Sequence, residues 1–123
     1  MTQRRTRHGA AVAAALLLPA LAACSSGSTP LSAQDKSFVT SVRQAMAQDG
    51  TSHAKRSDAQ LAAAGDSTCG LMKAGKLSQA YSALKSSGYT LPEIADVEGT
   101  AVQTLCTGQR AGYFAWLSTP AQS

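Results

Sequence analysis

Histidine is close to absent from this chain: His8 and His53 are the only two among 123 residues. Only His53 lies beyond the N-terminal segment, so an imidazole-based metal centre has too few ligands. No Cys-x-x-Cys pair occurs, which removes the usual zinc-ribbon arrangement. Gly-x-Ser-x-Gly is missing and no usable triad can be assembled, which excludes the nucleophile-elbow hydrolases. No glycine-rich loop is present to cradle a phosphate. Alternating runs of β-branched residues are lacking too, so strands have no good candidate. Aromatics are few: two Phe, three Tyr and one Trp. These absences point to an all-α protein for which neither an enzyme activity nor a cofactor is expected.

What is present starts with the leader. Arg4, Arg5 and Arg7 form a positive head, and Ala10 through Ala23 form an apolar stretch broken once by Pro19. As a helix, that stretch reaches only about 21 Å, short of a bilayer core roughly 30 Å thick. It closes on Leu21-Ala22-Ala23-Cys24, a run that resembles the lipobox of bacterial lipoproteins. The resemblance implies cleavage before Cys24 and acyl chains on Cys24. The mature protein would then be exported and anchored by lipid to the outer face of the cytoplasmic membrane or in the cell envelope. The alternative is an ordinary signal peptide cut near Ala23, with Cys24 an incidental thiol. The Arg4-Arg5 pair hints at twin-arginine export. Thr6-Arg7-His8 follows where an apolar residue is usual, so Sec-type export is the reading.

Removing the leader changes the electrostatics. The formal charge of +4 includes the three leader arginines, and from Cys24 onward eight Lys and Arg stand against seven Asp and Glu. The high pI therefore belongs to the leader and gives no reason to expect nucleic-acid binding. The cysteine count fits the same account, because three cysteines in an exported protein leave one odd thiol. Assigning Cys24 to lipid leaves Cys69 and Cys106, a pair that can close in an oxidising compartment. Zinc and free thiols are the weaker alternatives. Closing that loop stabilises the fold by about 4 kcal/mol on the chain-entropy model, which matters for a domain of about 85 residues with a modest core.

The chain divides into a signal peptide (1–23), a flexible tether (24–32), a helical domain (33–118) and a disordered C-terminus (119–123). Ser25-Ser26-Gly27-Ser28-Thr29-Pro30 has nothing to bury and would hold the domain only about 15 Å from a membrane. A first helix runs from about Ala33 to Asp49, capped by Ser32 with Asp35, striped by Phe38, Val42 and Met46, and stopped at Gly50. A polar connection, Thr51 to Arg56, leads to a second helix that starts at Ser57 with Gln60 and ends before Gly75. Leu61, Gly65, Cys69 and Met72 share its inner face, with Gly65 placed to let a neighbouring helix approach. A third, about Ser78 to Ser86, carries Leu77, Tyr81 and Leu84 on one side and stops at Gly88. Thr90 and Glu93 cap a fourth, in which Ile94, Val97, Ala101 and Leu105 form the stripe and Cys106 closes it. Short connections favour a small antiparallel bundle of about four helices, in which one disulfide ties the second helix to the end of the fourth.

The pattern Asp35-x-x-Phe38-Val39-x-x-Val42, then Gly65-x-x-x-Cys69, Ala74-Gly75 and an apolar helix ending in Cys106, resembles domain of unknown function 732. That family consists of small, exported, helical actinobacterial domains, often lipoproteins, whose two cysteines pair. The resemblance covers roughly residues 35 to 106. It implies no catalytic residues, and it transfers only Cys69 and Cys106, as the disulfide. The long basic connection after Gly50 and the tail beyond Cys106 depart from the family pattern.

The tail is where a binding surface is sought. Tyr113, Phe114 and Trp116 supply half the aromatic residues of the chain, with Leu117 beside them. Either they fold back over a thin core or they form an exposed patch for the membrane interface or a partner protein. His53 beside Lys55 and Arg56 reads as a solvated loop residue. Glu93, Asp96 and Glu98 lie in the first turns of a helix, where the dipole alone accounts for negative side chains. The function expected is a lipid-tethered, non-enzymatic interaction module with an envelope partner. The alternative is a small-molecule or lipid carrier with an apolar pocket between helices, although a bundle this small has little room for one.

Overall fold

The computed structural model describes residues 30–51 and 56–120; the leader, Cys24, His53 and the last three residues lie outside that part. Five α-helices form, and no strand is found among the described residues. They are α1 (Ala33–Gln48), α2 (Asp58–Lys73), α3 (Leu77–Ser86), α4 (Leu91–Thr104) and α5 (Arg110–Leu117), with a 3-10 turn at Thr107–Gln109 before α5.

Local chemistry sets most of the helix ends. All three expected capping boxes are made. The Asp35 N–H donates to Ser32 Oγ at 3.0 Å and the Ser32 N–H to Asp35 Oδ2 at 3.2 Å. The Ser57–Gln60 pair (3.1 and 2.9 Å) and the Thr90–Glu93 pair (3.5 and 2.7 Å) repeat the arrangement. At the other ends, Gly50, Gly75 and Gly88 take φ values of +69°, +73° and +85°. Each lets the next residue's N–H reach back to the carbonyl five residues earlier: Thr51 to Met46, Lys76 to Leu71, Tyr89 to Leu84. That is the Schellman arrangement, which needs a residue that tolerates the left-handed region.

The expected stripes of α1, α2 and α4 supply most of the core, whereas Leu77, Tyr81 and Leu105 are only partly buried against it. Phe38, Val42, Met46, Leu61, Ile94, Val97 and Val102 are all but inaccessible, and α4 packs against α1, α2, α3 and α5. The Cys69–Cys106 disulfide is formed, with Cα atoms 5.7 Å apart. The count of about four helices is corrected, because the tail beyond Cys106 is itself helical. Eight residues with no side-chain N-cap make a marginal helix alone. It is held by tertiary contact, since Tyr113 is buried and Trp116 packs against the core.

Gly65 fixes how closely α1 and α2 approach. A methyl group placed there would fall 2.5 Å from Phe38 Cε1 and 2.8 Å from Leu105 Cδ1. In a helix interior, alanine is otherwise favoured over glycine by about 1 kcal/mol. Here overpacking outweighs that gain, and Gly65→Ala is expected to destabilise the domain by about 1–3 kcal/mol. A urea midpoint at or above that of the wild type would contradict this. Opening the disulfide with Cys106→Ser should lower stability by about 4 kcal/mol for a loop of this length, read in the same titration.

Candidate functional site

The C-terminal aromatics divide between two environments. Tyr113 is 3% exposed, whereas Phe114 and Leu117 are each 46% exposed. Trp116 is half-buried, with its ring centroid 6.3 Å from that of Tyr113 and 6.4 Å from that of Tyr81. Tyr113 and Trp116 thus serve the core, and only Phe114 and Leu117 face outward. Arg110 lies 6.0 Å over the Phe114 ring. The four residues do not make one exposed patch.

Helix α4 holds a feature that the dipole reading of its carboxylates overlooked. Glu93, Asp96 and Glu98 are all buried, Glu98 to 2% exposure. Glu93 is spent on the Thr90 cap. The Tyr113 hydroxyl donates to Glu98, while Glu98 Oε1 has no partner. Asp96 meets Asp49 at the end of α1, and its Oδ2 is also unpartnered. Burial pushes the Glu98 carboxyl up to about 7, against the smaller opposing effect of the Tyr113 hydrogen bond. Burial also raises Asp96, and its contact with the Asp49 carboxyl raises it further. Tyr113 is raised by burial and then by the charge of Glu98. A signal was available in the sequence: Glu98 is four residues after Ile94 and three before Ala101, within the apolar stripe itself.

The second feature is a groove of about 420 Å³ between α2 and α3. The turn at Ala74–Lys76 folds α3 back along α2, so the start of α2 lies beside the end of α3. Ala63, Ala64, Ser67, Ala80 and Ala83 line the groove and are too small to fill it. At one end stand Arg56, Gln60, Ser87 and Tyr89. The Arg56 guanidinium lies 3.4 Å over the centre of the Tyr89 ring, with Nη1 3.5 Å from the Ser87 carbonyl oxygen. The basic connection before α2 thus delivers one arginine to a defined place. The hint in the sequence was the recurrence of small residues at helical spacing on two successive helices.

Among the described residues, no group of three His, Cys, Asp or Glu side chains could hold a metal ion, and no helix is long and apolar enough to cross a membrane. No protein-family model, curated protein or solved structure matches the chain.

The buried carboxyls set a pH dependence whose sign is fixed. Glu98 titrates higher in the folded domain than its ordinary 4.5. Its stabilising contribution is therefore fully present below about pH 4.5 and lost as pH rises through 7. Asp96 acts in the same direction. Urea midpoints should fall between pH 5 and pH 8, and Glu98→Gln should flatten that fall by about 1–3 kcal/mol. An unchanged slope in the variant would remove Glu98 as its source.

Proposed function

We propose that this chain is an exported lipoprotein, held at the membrane by acyl chains on Cys24, whose helical domain works by binding another component of the cell envelope. The observation that carries the reading is the closed Cys69–Cys106 disulfide. It suits an oxidising compartment, and it leaves Cys24 as the odd cysteine, at the end of the Leu21-Ala22-Ala23 run. Anchored in this way, the domain is a short-tethered antiparallel helical bundle that presents side chains rather than catalysing a reaction. Its likeness to domain of unknown function 732 belongs to this proposal and rests on residues 35 to 106.

A second reading, that the domain carries a small molecule or lipid, is favoured by one specific observation. The space between α2 and α3, about 420 Å³, falls within the range of small-molecule sites. Its mainly apolar lining, with a polar end, suits a ligand that is itself largely apolar.

Lipidation is tested directly. Expressed in an actinobacterial host, the wild type should take up a palmitate analogue and partition into detergent, and Cys24→Ala should do neither. Labelling that persists in the variant would disprove the anchor. Turnover found in a substrate screen, and abolished by mutating a carboxylate, would overturn the non-enzymatic reading.

A further inference from the structure

We propose that the α2/α3 groove binds a single-chain anionic amphiphile, with a fatty-acid-like carboxylate at Arg56 and the hydrocarbon chain along the two helices. The proposal rests on the carrier reading above and gives it a ligand class and a direction.

The direction comes from the lining. Arg56, Gln60, Ser87 and Tyr89 gather at the end where α2 begins and α3 stops. Beyond them the walls are alanines and leucines of α2 and α3, Ala63, Ala64, Leu71, Ala80, Ala83 and Leu84, interrupted only by the hydroxyl residues Ser67 and Thr68. From Gln60 to Leu71 the helix rises about 16 Å, so the site is a slot, charged at one end and mostly carbon along its length. Polar atoms near the charged end are largely committed: Gln60 Oε1 accepts from the Ser57 N–H, and the Ser87 hydroxyl donates to Ala83 O. A peptide backbone laid along the alanines would leave its own N–H and C=O groups unpaired, whereas a hydrocarbon chain has none to satisfy.

The charge comes from Arg56. Among the described residues, no carboxylate forms an ion pair with it. The Asp58 carboxylate, two positions away, is bound by Arg43, whose Nε donates to it at 2.9 Å. Glu93, whose charge bears on Tyr89, is held in the Thr90 cap. Stacking on Tyr89 fixes the guanidinium plane while leaving N–H groups at its edge, the geometry with which arginine grips a carboxylate.

The test uses the full-length chain in phosphatidylcholine nanodiscs, with a photoreactive diazirine analogue of laurate as the probe. After irradiation and trypsin, adducts should lie on the peptides 57–73 and 77–85. Unlabelled laurate should compete, but laurate methyl ester and acetate should not. Competition by shorter acids should strengthen about two- to fourfold per added methylene, until the chain outruns the slot. Arg56→Gln should weaken labelling at least tenfold. Arg56→Lys, which keeps the charge but loses the stacked planar fork, should weaken it less than Arg56→Gln, and Ala83→Leu, at an exposed position, should abolish it by filling the groove. An intact Cys69–Cys106 peptide in each variant certifies the fold. Equal labelling by the methyl ester, undiminished labelling of Arg56→Gln, or adducts confined to other peptides would overturn the proposal. Palmitate labelling at Cys24 is a separate readout, so failure of the anchor and failure of the groove are distinguishable.

Discussion

Helix α4 is enclosed by α1, α2, α3 and α5, and this enclosure draws its polar side chains inward along with its apolar ones. A helix packed on one side can turn its carboxylates to water. One surrounded by neighbours must neutralise them or give them partners. Glu98 does both in part: it accepts from Tyr113 and holds a proton up to about pH 7. Tyr113 in turn supplies the one buried side chain of α5. The residue that places the last helix against the core is therefore also the one that neighbours Glu98 in the interior.

The disulfide works on the same region from the opposite direction. Cys106 lies two residues beyond the end of α4 and is tied to Cys69 in the C-terminal half of α2. The junction between α4 and the 3-10 turn is thereby fixed, and α5 starts from an anchored point. Without that fixed start, an eight-residue helix would have little to hold it beyond one tyrosine and a half-buried tryptophan. Phe38 can reach across to α2 only because Gly65 has no side chain.

Features set by neighbouring residues could be read from the sequence. Ser32–Asp35, Ser57–Gln60 and Thr90–Glu93 cap where their spacing says they should, and Gly50, Gly75 and Gly88 stop the three helices before them. The stripes Phe38–Val42–Met46 and Leu61–Cys69–Met72 point inward as their periodicity requires. Features set by tertiary enclosure were less accessible. Glu98 sits in the second half of α4, where burial depends on what α5 covers, and the tail is held as a helix by the burial of Tyr113 and the packing of Trp116. The groove was harder still to see, since alanines that line a slot look the same in sequence as alanines that fill a core.

Burial of the carboxyls also changes the charge that the domain shows to its surroundings. From Cys24 onward the sequence is nearly balanced, with eight cations against seven anions. Below about pH 7, however, Glu98 is neutral and interior, and the rise in Asp96 removes further negative charge from the same helix. Asp58 and Arg43 cancel each other as an ion pair and leave the balance unchanged. The outward field is therefore more positive than the composition suggests, and at the mouth of the α2/α3 groove Arg56 has no anionic partner among the described residues. The interior that encloses α4 and the cation left uncompensated over Tyr89 are thus parts of one charge distribution: carboxylates drawn into the core are unable to neutralise the surface.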